Sequence, residues 1–213
     1  MADIADISAV LGVAATIAAH NPTRWWCRAA TAEQERDAAR LGLVQVRRLH
    51  QMRVSLPLEH RADIAVRSFR PGADEDAWLE VNNRAFAWHP DQGGWTREDL
   101  HQRLEQPWFD AAGFLLHESP EGGIAGFCWT KYHAETSPPM GEIFAIGIDP
   151  TYQGRGLGRG LTIAGFDWLW RNYRAPVGML YVEHDNTAAI SLYRSLGLTI
   201  HHDDVAYEPA DDR

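Results

Sequence analysis

The stretch Ile146-Gly147-Ile148-Asp149-Pro150-Thr151-Tyr152-Gln153-Gly154-Arg155-Gly156-Leu157-Gly158-Arg159-Gly160 decides the fold. An apolar, β-rich run ends at Asp149-Pro150. Glycine then recurs at every second position from Gly154 to Gly160, and an apolar helical pattern follows, roughly Gly156 to Trp170. Glycine lets the backbone approach an anion closely and adopt positive φ. The first N–H groups of a helix have no internal partner and carry partial positive charge. Strand, glycine turn and helix start together predict a pyrophosphate cradle. Its residues are Gln153, Gly154, Arg155, Gly156, Leu157, Gly158 and Arg159, with the two arginines adding local charge. A Walker loop would end in Gly-Lys-Ser/Thr, which is absent. A dinucleotide fold would set its glycines after its first strand, whereas these follow about four predicted strands.

Outward from the turn, Glu142 to Ile148 and Met179 to Glu183 read as strands. Asn186 to Leu196 reads as a helix stopped by Gly197, and Leu198 to Tyr207 as a closing strand or hairpin. Upstream, Ala65 to Phe69 predicts a strand and Ala73 to Phe86 a helix with Trp78, Val81, Ala85 and Phe86 on its apolar side. Thr96 with Asp99 predicts a capped helix start. Gly113 to His117 and Ile124 to Tyr132 predict strands joined through Glu121-Gly122-Gly123. Before a polar linker at Pro57 to Asp63, residues 1–20 read as a helix and Trp25 to Arg28 as a short strand. Thr31 to Arg40 reads as a helix ended by Gly42, and Leu43 to Val46 and His50 to Val54 as two strands. Arg40-Leu41-Gly42-Leu43 and Ser195-Leu196-Gly197-Leu198 thus echo one another as helix, glycine stop and two strands. Leu-Gly-Leu is also a common helix ending in its own right.

Composition narrows the function. The chain has 213 residues and a formal net charge of −9, from 29 acidic and 20 basic residues. No basic stripe is present, so a role on nucleic acid is not expected. Asp3 and Asp6 stand where a signal peptide would be positive, and Ile7 to Ala19 is too short to span a bilayer, so a cytoplasmic protein without membrane association is expected. Cys27 and Cys128 make neither a disulfide framework nor a metal spacing, and Cys128 reads as a buried core thiol. No metal is expected. His201-His202-Asp203-Asp204 reads as a solvated strand end.

The glycine turn after a strand resembles the acetyl-CoA motif of the GCN5-related N-acetyltransferases, as does the element order from Ile64 to Tyr207. The segment Asn186-Thr187-Ala188-Ala189-Ile190-Ser191-Leu192-Tyr193 also matches that family. The resemblance implies an α+β fold, with a mixed, mostly antiparallel sheet flanked by helices. It implies acetyl-CoA as co-substrate, bound by the turn, by the backbone of Ile146, Gly147 and Ile148, and by Asn186, Ala188, Ala189 and Tyr193. More specific strings are Val81 to Trp95, Trp129-Thr130-Lys131 and Gly141-Glu142-Ile143-Phe144, which resemble the mycothiol synthase family. That likeness covers essentially all of residues 64–208. It implies acetylation of the cysteinyl amine of desacetylmycothiol, a small-molecule partner, with Glu142 as general base and Tyr193 as general acid. It further implies Asp91, Lys131, Glu142 and Glu183 around the substrate.

The residue types suit that chemistry. An α-amine has a reference pKa of about 7.7–8.0 and must lose a proton before it attacks a thioester. Direct transfer to an ordinary carboxylate of pKa about 4.3 is uphill by roughly 5 kcal/mol. A buried carboxylate, or one acting through water, lowers that barrier, and Glu142 opens an otherwise apolar strand.

Mycothiol synthases are tandem proteins with two acetyltransferase-like halves. Residues 1–58 resemble only the end of a first half, 59–63 a linker, 64–208 a complete domain and 209–213 a polar tail. The chain therefore resembles an N-terminally shortened member, with a partial copy preceding a whole one. That copy is expected to expose unpaired edges unless it packs on the second domain or dimerises, so a monomer or a dimer is open. Two alternatives also remain open: a non-catalytic acetyl-CoA-binding module, and an acetyltransferase for another small amine or a peptide N-terminus.

Overall fold

The computed structural model describes residues 24–89 and 91–210. The helix expected over residues 1–20 and the end of the polar tail lie outside them. The chain forms two compact units, one of residues 53–180 and one of the described residues up to Met52 together with those from Tyr181.

In the larger unit the elements run β3 (Arg67–Ser68), α2 (Glu75–Ala85), α3 (Arg97–Leu104), β4 (Phe114–Glu118), β5 (Ile124–His133), β6 (Met140–Ile148) and α4 (Leu157–Tyr173), then β7 (Val177–Glu183) as far as Leu180. The strand order is β7-β6-β5-β4-β3. The β3–β4, β4–β5 and β5–β6 pairs are antiparallel and β6–β7 is parallel, which makes the sheet mixed. Trp78 and Val81, one helical turn apart on α2, are both buried, as the apolar spacing predicts. The Trp78 indole meets the rings of Phe114, Phe127 and Trp129 at 5.2–5.8 Å. Thr96 and Asp99 form the expected capping box at the start of α3. Helix α4 lies close on β5 and β6, because a Cβ at Gly165 would stand 2.5 Å from Cys128 Sγ and one at Gly141 2.8 Å from Leu169 Cδ1. Cys128 is a core thiol whose pKa is pushed up by burial.

The smaller unit contains β1 (Trp25–Cys27), α1 (Ala32–Arg40), β2 (Leu43–Ser55) as far as Met52, the end of β7, α5 (Thr187–Ser195) and β8 (Thr199–Pro209). Strand β1 pairs antiparallel with β8, Trp25 opposite Tyr207. Thr31 and Gln34 box the start of α1. Trp25, Cys27, Ala38, Leu43, Val205 and Tyr207 form the core of this unit.

Three expectations are corrected here. Residues 43–46 and 50–54 are not two strands but parts of the single strand β2. The intervening Arg47-Arg48-Leu49 contains no turn former, so nothing interrupts the ladder. The stretch after Gly197 takes the first of the two forms read there, one strand, so the echo is helix, glycine and a single strand. The edges of β2 are not left open, since it lies between β8 and β7. Asp203 and Asp204 are not a solvated strand end either. Strand β8 has β1 on one side and β2 on the other, so both aspartates sit among partners. Asp203 takes Arg48 Nη1 and His50 Nδ1, each at 2.7 Å. Asp204 is buried and accepts the Ala29 N–H at 2.9 Å.

Candidate active site

The glycine turn has the expected form. Asp149 follows β6 and is fixed by Arg84 at 2.7 Å, while its carboxylate accepts the Thr151 N–H at 2.9 Å and starts a 3₁₀ turn at Pro150–Tyr152. Gly154 and Gly156 follow with φ of +75° and +80°. These are left-handed conformations that side chains resist. A Cβ at either position would meet no atom within 4 Å, so the turn faces open space. Gly156 is the N-cap of α4 and supplies no side-chain acceptor. The first N–H groups of this 17-residue helix therefore lack a side-chain cap. Arg155 is exposed and lies over the Tyr152 ring at 5.0 Å. These features fit a cradle for an anionic cofactor.

Strand β6 leads into this turn and, within this unit, is laddered to β7 over only its first residues. Its pairing with β7 runs from Met140↔Val177 to Ile143↔Leu180 and stops. Ile146, Gly147 and Ile148 still pair with Cys128, Phe127 and Gly126 of β5. Their opposite side has no ladder within this unit. Gly147 is required for packing, because a Cβ there would lie 2.7 Å from the Phe127 ring.

Glu142 sits earlier on β6 and is 8% exposed. Its Oε2 lies 2.6 Å from His133 Nε2. The His133 Nδ1 is 3.0 Å from Oε1 of Glu135, a largely exposed carboxylate. The hydrogen bond to Glu142 holds the His133 pKa above its usual value, helped by Glu135 and opposed by burial and by Lys131. Lys131 is the register partner of Glu142, and its Nζ lies 4.8 Å from the Trp108 ring centroid. Trp108 in turn stands 4.8 Å from Phe144 and 6.0 Å from Trp129, forming an aromatic wall beside the lysine. Asp91 is exposed, and its carbonyl accepts the Trp95 indole N–H at 2.8 Å.

The remaining expected residues belong to the smaller unit. Asn186 caps α5 by accepting the Ala189 N–H at 3.1 Å, leaving Ala188 exposed on the first turn. Tyr193 is buried on the same helix. Glu183 holds Arg47 at 2.5 Å, with side chains 13% and 10% exposed, so its carboxylate is already engaged in an ion pair. Among the described residues, Glu183, His184 and Asp185 form one group with metal-ligand spacing, two of its members exposed. No described helix is long and apolar enough to cross a membrane.

Residues 77–198 match the Acetyltransferase (GNAT) family. The chain belongs to this family. It is 44% identical to the mycothiol acetyltransferase of Acidothermus cellulolyticus, over 87% of this chain and 61% of that protein. It is 51% identical to the mycothiol acetyltransferase of Acidimicrobium ferrooxidans, over 78% of this chain and 55% of that protein. The chain thus spans 55–61% of the length of these curated relatives. A GCN5-related N-acetyltransferase from Sphaerobacter thermophilus superposes with a TM-score of 0.70 at 26% identity, covering 89% of this chain and 61% of that one. The GNAT fold places the glycine turn and Glu142 on one strand–turn–helix unit.

His133 is the residue that sequence reasoning missed. It lies two positions beyond Lys131 on β5, hence on the same face, and diagonal to Glu142 across the ladder. The alternation along β5 was the available signal.

Proposed function

We propose that the chain is an acetyl-CoA-dependent N-acetyltransferase whose acceptor is the cysteinyl amine of desacetylmycothiol, giving mycothiol. One observation carries the reading: a buried carboxylate, Glu142, on the same strand that ends in an uncapped glycine turn. The names of the relatives support the acceptor. Bound acetyl-CoA supplies the thioester. The N–H groups of Gly156 to Arg159 and the guanidinium of Arg155 bind its pyrophosphate, and the backbone of Ile146 to Ile148 binds its amide arm. One of those N–H groups steadies the oxyanion that forms on attack. Glu142 takes the proton from the ammonium of the acceptor, and the free amine attacks the acyl carbon. As the C–S bond breaks, Tyr193 gives a proton to the departing thiolate and regains one from the adduct nitrogen, which loses its second proton to become the amide.

Asp91, Lys131 and Glu183 bind the polyol portion of the acceptor. Residues 1–58 are the end of a first acetyltransferase-like copy, 64–208 a complete second one. The motif of helix, left-handed glycine and long strand supports this, since it occurs at α1–Gly42–β2 and again at α5–Gly197–β8.

Purified chain incubated with acetyl-CoA and desacetylmycothiol should yield an N-acetylated product whose thiol remains free. Mass spectrometry is the suitable readout, because acceptor and CoA both carry thiols. The chain's span of its relatives motivates a second reading, a non-catalytic acetyl-CoA-binding module. Thermal stabilisation by acetyl-CoA with no product from this or any other cysteinyl amine would favour that reading and overturn the first.

A further inference from the structure

A base inside a protein works repeatedly only if the proton it collects can leave. Glu142 is poorly placed to release one directly, as its side chain is only 10% exposed. The His133 side chain, 14% exposed, touches Oε2 of Glu142 at 2.6 Å with one ring nitrogen and Oε1 of Glu135 at 3.0 Å with the other. Glu135 is 72% exposed. The three groups thus run from buried to solvent in two hydrogen bonds. Thr136 fixes the turn that sets this spacing, its hydroxyl donating to the His133 carbonyl at 3.1 Å. Among the described residues, Oε1 of Glu142 has no hydrogen-bond partner, which leaves it for the acceptor amine or a water.

We infer that His133 and Glu135 form a proton exit path that returns Glu142 to its basic form after each acetyl transfer. The inference rests on the reading of Glu142 as the base. The N–H bond of the ammonium breaks as an O–H bond forms on Glu142. That proton passes to Nε2 of His133 while the proton on Nδ1 passes to Glu135, which releases it to water, and proton exchange of the ring with solvent then restores its starting tautomer. One proton leaves the amine, one reaches solvent, and no group changes oxidation state. An imidazole suits the middle position because it accepts on one nitrogen while donating from the other. The charged groups facing the ring are Glu142 from β6, Glu135 from the following turn and Lys131 from its own strand. His133 is a positioning and relay residue, since it reaches the substrate only through Glu142.

Chemical rescue tests the path. In His133→Ala, kcat is expected to fall about ten- to hundred-fold. Added imidazole should restore it in proportion to concentration, and KM for acetyl-CoA should stay within about twofold of wild type. In Glu135→Gln, at an exposed position that folding tolerates, kcat should fall at low buffer concentration and recover as a small imidazole buffer is raised. A folded His133→Ala that keeps wild-type kcat, or loses activity that imidazole does not restore, overturns the path. So does a Glu135→Gln rate equal to wild type at every buffer concentration, which also decides the case if His133→Ala fails to fold. Wild-type protein without turnover would instead remove the reading of Glu142, and the path with it.

Discussion

At the scale of single residues, the contact between Glu142 and His133 has a consequence for stability as well as for chemistry. Hydrogen bonding to Glu142 raises the pKa of folded His133 above its unfolded value of about 6.5. The protonated ring is therefore bound more tightly in the native state. Its contribution is complete below about pH 6.5 and is lost as pH rises through the raised native value. Urea denaturation of wild type and His133→Gln should show a stability gap that is larger near pH 6 than near pH 9. A gap that does not change with pH would contradict the assignment. Glu142 was marked in the sequence as an acid opening an apolar run, and its burial agrees with that position, while its role as a base came from resemblance. His133 was not marked, because its role depends on how β5 and β6 align. The register shifts at Trp129/Thr130, where Phe144 is the extra residue, and a shift of one residue would turn Glu142 to the other face.

At the scale of elements, the turn before α4 and the seat of α4 on the sheet depend on different glycines for different reasons. Gly156 has φ +80° and open space where a Cβ would go. Gly156→Ala should therefore cost about 1–2 kcal/mol through conformation alone. If the turn holds the pyrophosphate as proposed, a methyl in that open space also crowds it, so calorimetry should show acetyl-CoA binding weakened by at least about tenfold. Unchanged affinity would separate the turn from the cofactor. Gly165 has an ordinary φ but stands where a Cβ would be 2.5 Å from Cys128 Sγ. Gly165→Ala should lose about 1–3 kcal/mol by overpacking, and Cys128→Ala in the same chain should restore part of the loss. Additivity of the two would contradict the contact. The sequence announced the first glycine through its alternation with polar and apolar residues. It was silent on the second, because a helix that approaches a sheet this closely is a property of packing. The same limit applied at β2 and β8, whose continuity follows from strand partners far along the chain.

For the whole molecule, the smaller unit is tied together by charge as much as by apolar contact. Arg47 of β2 and Glu183 of β7 hold each other while mostly buried. Arg47→Ala leaves a carboxylate with little solvent and should cost about 3–5 kcal/mol in urea denaturation. Replacing the pair together, as Arg47→Met with Glu183→Leu, should recover most of that stability. Equal losses in the single and double variants would argue against the pair. In the sequence, Arg47 drew no reading, and Glu183 was assigned from resemblance rather than from its surroundings. The fold class was readable because strand, glycine turn and helix are local signals, whereas the partners of β2 are not. Every role assigned above depends on acetyl transfer by this chain. The most direct measurement is the initial rate at which labelled acetyl groups pass from acetyl-CoA to the desacetylmycothiol nitrogen, with wild type compared with Glu142→Gln at equal folded concentration. The predicted result is turnover by wild type and a fall in kcat of about 10²–10⁴-fold in the variant. Equal rates in the two proteins, or no transfer by wild type, would contradict it.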